Sequence, residues 1–164
     1  MLQGTPGRVS DYYDRHPINE ARVLEALSRP GLGRPTADDL FEFDQDHYGG
    51  LAAVDALARR AGIGATSRVL DVCAGLGGPA RFVADRRGAT VVALELHRGR
   101  AAGAARLNRL VGARSVTVVR GDAIALPFAR GVFDACLSQE ALLHISDKAT
   151  VLAECHRVLA PGGR

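Results

Sequence analysis

Residues 68–84 read RVLDVCAGLGGPARFVA, and the rest of the chain is arranged around them. Val69, Leu70 and Val72 form the short apolar run of a buried parallel strand, predicted over 69–73. Asp71 stands near the carboxyl end of that strand. Gly75, Gly77 and Gly78 follow at once, and Pro79 suits the first turn of a helix. Glycines there let the backbone turn sharply and approach a ligand without a Cβ in the way. In an open α/β sheet, ligands bind beyond the carboxyl ends of the strands. The turn is therefore the expected floor of a nucleotide-type cofactor site.

Downstream, strand and helix patterns alternate. Strands are predicted at 90–95 (TVVALE), 116–120 and 133–138, and helices from 79, over 98–111 and over 147–159. The last helix is expected to bury Val151, Leu152, Cys155, Val158 and Leu159. Such alternation predicts an α/β fold with a parallel sheet and right-handed crossovers. Upstream, residues 1–17 read as irregular. A short helix is predicted over 18–27, ended by Pro30 and Gly31. Thr36 can cap a turn at 37–41, with Asp39 three residues on. The segment FEFDQDHYGG fits no regular pattern. Over 51–61, Leu51, Val54, Leu57, Ala58 and Ala61 share one helical face. The expected division is a helical lid over 1–64 and a sheet domain over 65–164.

The chain has 164 residues, enough for one domain with one core, and a net charge of +3. Its basic residues are scattered arginines, with Lys148 the single lysine, so no stripe predicts a nucleic-acid partner. No apolar run approaches the ~18 residues that span a membrane. The first residues lack the apolar core of a signal peptide, so a cytoplasmic location is expected. Cys73, Cys136 and Cys155 fit neither zinc nor disulfide spacing. They read as buried thiols, the first two in strands and the third on a helix.

The glycine turn admits two chemistries. Residues 75–80 satisfy the dinucleotide pattern G-x-G-x-x-A. Asp71 with Gly75 and Gly77 also fits the D-x-x-x-G-x-G loop of methyltransferases that use S-adenosylmethionine. Glu95, about 20 residues past the loop, serves either reading by accepting from ribose hydroxyls. Asp122, in Arg120-Gly121-Asp122-Ala123 after the third strand, is required only by the second.

The motifs VLDVCAGLGG, VVALEL, RGDAIALPF, FDACLSQEALLHISDK and ECHRVLAPGG run over about 68–164. Through them the chain resembles the class I S-adenosylmethionine-dependent methyltransferases of type 11. HYGGL at 47–51 and SQEALLHISDK are similar to segments of the sarcosine/dimethylglycine and phosphoethanolamine N-methyltransferases. The resemblance implies a Rossmann-like sheet of order 3-2-1-4 under the N-terminal lid. It places Asp71, Gly75 and Gly77 along the methionine and ribose part of S-adenosyl-L-methionine, and Glu95 on the ribose. Leu96 would pack by the adenine, and Asp122 with Ala123 would bracket it. Gln139 would reach towards the methionine moiety and the substrate. Tyr48 and Gly49 would close over the cofactor. Cys73 departs from the pattern, standing where many members have glycine.

The implied reaction is in-line methyl transfer to a small-molecule acceptor, an amine nitrogen. An amine must arrive unprotonated. His144, titrating near neutrality, is the candidate base. In the phosphoethanolamine enzymes a histidine in a matching segment pairs with an N-terminal tyrosine, a place open here to Tyr12 or Tyr13. His47 borders the lid, His97 follows the second strand, and His16 and His156 read as surface residues. None has metal spacing.

The resemblance also implies three further strands after LAPGGR, so the chain is read as C-terminally truncated. The fourth strand would then be an edge with unpaired backbone groups, open to self-association. Two alternatives stand beside the methyltransferase reading: a nicotinamide-dependent oxidoreductase fragment, and a non-catalytic cofactor-binding remnant.

Overall fold

The computed structural model describes residues 11–28 and 33–164. Four parallel strands form the sheet: β1 (Arg68–Val72), β2 (Thr90–Glu95), β3 (Val116–Arg120) and β4 (Ala135–Leu137). Their order is β3-β2-β1-β4, as expected. Asp71 lies level with Ala93 and Leu137, and Glu95 with Arg120. The helices are α1 (Glu20–Leu27), α2 (Ala37–Phe41), α3 (Gly50–Arg60), α4 (Gly78–Arg87), α5 (Arg98–Val111) and α6 (Lys148–Val158). A 3₁₀ turn covers Leu142–His144. No helix among the described residues is long and apolar enough to cross a membrane.

Alternation along β1 splits the core into two layers. Val69 faces α3 and α4 and packs with Phe41, Val54, Ala58, Phe82 and Val83. Leu70 and Val72 face α6 and pack with Leu94, Phe133, Val151 and Val158. A third cluster joins Val23 and Leu27 of α1 to Leu40, Leu76 and Leu107. Residues on both sides of position 64 therefore share one core.

Local chemistry sets the helix ends. The Asn19 side chain accepts from Arg22 N at 3.1 Å, and that of Asp147 from Thr150 N at 3.0 Å, each satisfying an orphan amide of a first turn. Asp39 accepts from Thr36 N at 2.7 Å, as the 37–41 reading expects. Helix α4 starts behind Gly77 (φ 81°), carries Pro79 in its first turn, and stops at Gly88 (φ 71°).

Several expectations are corrected. Residues 11–14 are helical rather than irregular; residues 1–10 and the predicted stop at Pro30 and Gly31 lie outside the described residues. Leu152 is 59% exposed, because α6 turns only Val151 and Val158 fully inward. Strand β4 is three residues long, shorter than the predicted 133–138. Its outer edge is not bare. Residues 159–164 return along it, with Ala160 N donating to Phe133 O (2.8 Å), Arg164 N to Asp134 O (3.0 Å) and Cys136 N to Arg164 O (2.8 Å). Along that stretch the backbone groups expected to be unpaired are already bonded.

Candidate active site

The strand carboxyl ends open into a cleft of about 600 Å³. Its floor is the turn after β1. Gly75 (φ 58°) and Gly77 (φ 81°) are left-handed, and a Cβ on Gly75 would meet Arg100 Nη2 at 2.7 Å. Gly78 is equally constrained, because a Cβ would lie 2.3 Å from Asp44 O. Cys73 is left-handed too (φ 62°), which ends β1 one residue earlier than predicted and takes Cys73 out of the strand. A position of that geometry is why glycine is favoured there. The Cys73 thiol is pushed up to about 12, first by burial and then by Glu95, Asp71 and Asp122. It is no nucleophile at neutral pH.

Three carboxylates ring the floor. Asp71 is buried, and its Oδ2 has no hydrogen-bond partner. Burial, followed by the nearby Glu95 charge, raises Asp71 to about 7. Glu95 accepts from Gly75 N and His97 N, both at 2.8 Å, one on each oxygen. Burial still raises it, against those two amides and Arg100. Asp122 accepts from Ile124 N at 3.1 Å in a tight turn, beside the buried Ala123. Leu96, Asp122, Ala123, Gln139, Tyr48, Asp71, Gly75 and Glu95 all line the cleft. Gly49 and Gly77 do not: Gly49 (φ 79°) caps α3, and Gly77 backs onto Arg81 and Ala104.

The opposite wall comes from the N-terminal segment. The rings of Tyr12 and Tyr13 lie 5.9 and 5.6 Å from that of His144, so the three candidate catalytic residues are brought together across the cleft. Burial raises the Tyr13 phenol to about 12, the largest effect on it. Burial also lowers His144, Asp46 opposing and His16 adding to the shift. His144 therefore stands as the free base at neutral pH, and Tyr13 keeps its proton.

The residues that hold this wall escaped the sequence reading. His16 is no surface residue: its side chain is 10% exposed, its ring meets Tyr12 at 5.2 Å, and Nδ1 lies 3.6 Å from Asp46 Oδ2. Arg100 Nη2 donates to the same Asp46 oxygen at 2.8 Å, Nη1 donates to Ile18 O, and the guanidinium lies 4.6 Å from the Tyr13 ring centre. His97 caps α5 by accepting from Arg100 N, and its Nε2 lies 3.1 Å from Asp14 Oδ1. Deeper, Arg81 of α4 is fully buried against Asp44, with Nη2 at 2.8 Å from Oδ2 and Nη1 at 2.7 Å from Asn108 Oδ1. Its Nη2 also donates to Leu76 O inside the glycine turn, at 2.6 Å. One guanidinium thus ties the N-terminal wall to the floor. The available signal was an excess of acids in FEFDQDHYGG and an arginine on an otherwise apolar stretch of α4.

Comparison with known proteins agrees with this architecture. A family model described as a methyltransferase domain matches residues 70–164. Methyltransferase GfsG of Streptomyces halstedii is 33% identical over 100% of this chain and 58% of its own length. The sarcosine/dimethylglycine N-methyltransferase of Halorhodospira halochloris is 38% identical over 62% of this chain and 37% of its own. Among solved structures, Haemonchus contortus phosphoethanolamine N-methyltransferase 2, in complex with phosphomonomethylethanolamine and S-adenosylhomocysteine, matches with a TM-score of 0.73 at 26% identity, over 97% of this chain and 35% of that one. The [4+2]-cyclase SpnF matches with a TM-score of 0.74 at 26% identity, over 98% and 58%. The chain therefore spans little more than half the length of even its full-coverage curated relative. With its glycine turn, its strand-end carboxylates and its four-stranded parallel sheet, the chain belongs to the methyltransferase-domain family.

Proposed function

We propose that the chain binds S-adenosylmethionine at the strand ends and transfers its methyl group to a small molecule, at an amine nitrogen. The observation that carries this reading is Asp71: a buried carboxylate that lines the cleft and has one oxygen without a partner, beside a left-handed glycine turn. Such a group is costly to bury unless something neutralises it. The cofactor's ammonium would do so. Glu95, already oriented by two backbone amides, has lone pairs left for the ribose hydroxyls, and Asp122 with Ala123 would hold the adenine. When bound, the sulfonium supplies an electrophilic methyl group. The protein's part is orientation, worth about 7–11 kcal/mol at its limit. His144, kept neutral by burial, would take the proton of the arriving amine, and the Tyr12 and Tyr13 rings would hold the acceptor against it.

The amine assignment draws support from two relatives named for N-methylation of sarcosine/dimethylglycine and of phosphoethanolamine. The same scaffold also supports a [4+2]-cyclase, so a second reading is a cofactor-dependent fold that transfers no methyl group. Incubation with methyl-labelled S-adenosylmethionine and a panel of primary to tertiary amines separates the two. The proposal expects labelled amine and S-adenosylhomocysteine in equal amounts, lost in Asp122→Ala. Binding of S-adenosylhomocysteine with no label transferred to any acceptor, nitrogen or oxygen, favours the second reading. The proposed division of labour is a lid over 1–64 that carries acceptor contacts and a sheet domain over 65–164 that carries the cofactor.

A further inference from the structure

We infer that Glu140 is a positioning residue: it latches the lid over the mouth of the cleft and so sets how long a bound ligand stays. The inference rests on the cofactor reading above for the identity of that ligand, but not for the latch itself.

Two independent observations meet at Glu140. Its backbone is left-handed (φ 53°), and besides Cys73 it is the only non-glycine residue so placed among those described. A long side chain in that region is disfavoured, and such residues persist where the surroundings over-determine them. Glu140 is also tied to a distant segment: Tyr48 N donates to its Oε1 at 2.8 Å, across 92 positions of chain. The neighbouring Gln139 reaches the same segment, its Nε2 lying 3.4 Å from His47 Nδ1. The left-handed turn thus lets two consecutive side chains, which an extended strand would send to opposite faces, meet one stretch of lid.

The other side-chain ties of that stretch among the described residues are local: the His47 ring lies 3.1 Å from Tyr48 O and 3.0 Å from Gln45 Oε1, so Glu140 and Gln139 are what bind it to the far side of the cleft. Tyr48 is 87% exposed, so packing does not fix it, yet it lines the cleft. Behind it stand Gly49 (φ 79°) and Gly50 (φ 51°), two left-handed glycines in succession. A pair of that kind can absorb a large backbone rotation, which is what a hinge requires. The bond to Glu140 keeps the segment closed. The strain at Glu140 is retained because its carboxylate is needed there.

Three variants test this. Glu140→Gln keeps an acceptor oxygen, Glu140→Ala removes it, and Glu140→Gly removes it while relieving the left-handed strain. Two readouts are used: hydrogen exchange of the Tyr48 amide in the ligand-free protein, and the dissociation rate of S-adenosylhomocysteine. The Ala and Gly variants are each expected to exchange the Tyr48 amide and release the ligand about tenfold faster, with Gln within about twofold of the unaltered chain. The Gly variant is expected to melt above the Ala variant by about 2–4 °C, although both release ligand equally fast. A merely structural residue would move stability and release together. Unchanged amide exchange in both Ala and Gly overturns the latch, whether or not S-adenosylhomocysteine binds. Faster exchange with unchanged release overturns its effect on the ligand. Failure of the unaltered chain to bind S-adenosylhomocysteine, with the exchange effect intact, overturns the cofactor reading instead.

Discussion

The floor and the N-terminal wall of the cleft face each other but are built by different means. The floor carries Asp71, Glu95 and Asp122 because three parallel strands end side by side, and register delivers each acid to the same rim. The wall carries Tyr12, Tyr13 and His16 because single polar side chains reach across the chain: Arg100 to Asp46, His97 to Asp14 and Arg81 to Asp44. The floor is thus a consequence of topology. The wall is a consequence of a few long-range pairs, and its integrity depends on each of them.

The Arg81–Asp44 pair offers the harshest way to break that contrast. Both side chains are inaccessible to water, and burial pushes Asp44 up and Arg81 down against their mutual attraction. Removing one partner leaves a buried charge uncompensated. Arg81→Met is expected to cost about 3–5 kcal/mol of stability in urea unfolding. Arg81→Met with Asp44→Leu should recover much of that loss, because neither charge then remains buried. A single variant no worse than the double would mean that the pair does not hold the two regions together.

Asp122→Ala acts on the floor alone. It should weaken S-adenosylhomocysteine by about 1.5–3 kcal/mol, some ten- to a hundredfold by calorimetry, while shifting stability by less than about 0.5 kcal/mol. Equal losses in binding and stability would show that the rim acids are part of the scaffold.

The next effect is one of pH. Asp71 is raised from 3.8 to about 7 in the folded chain. The ligand-free folded protein therefore holds a proton that the unfolded chain releases between those values. The resulting stability is fully present below about 3.8 and is lost as pH rises through about 7. A cationic ammonium needs the ionised form, so affinity for S-adenosylhomocysteine should rise about five- to tenfold from pH 6 to 7.5. Asp71→Asn should abolish that dependence. A pH-independent affinity would place the ligand's cation elsewhere.

The smallest expected effect is at Cys73. Cys73→Gly removes the cost of a left-handed non-glycine residue and should raise stability by about 1 kcal/mol in thermal melts, leaving the wall untouched. Loss of stability would mean that the thiol's packing outweighs its backbone.

The floor was legible in the sequence for the same reason that it is robust. Strand periodicity, the glycine turn and an acid at each strand end are local patterns, and parallel topology brings local patterns together without further instruction. The wall was not legible, since an arginine or histidine three turns into a chain looks the same whether solvated or buried. Arg81 and His16 were passed over or read as surface on that account, and only the fold shows them enclosed. Gly49 and Gly77 illustrate the converse. The resemblance placed them along the cofactor, and their left-handed backbones start α3 and α4, a local requirement for glycine that the motif alone does not reveal. Leu152 failed because helical periodicity names a face but not how wide a face its neighbours cover.

Calorimetric titration of the chain with S-adenosylhomocysteine, and with NADH in parallel, tests the central claim most directly. The account predicts one site for S-adenosylhomocysteine, weakened in Asp122→Ala, and none for NADH. Binding of NADH alone, or of neither ligand, would contradict the assignment of the strand-end cleft to S-adenosylmethionine.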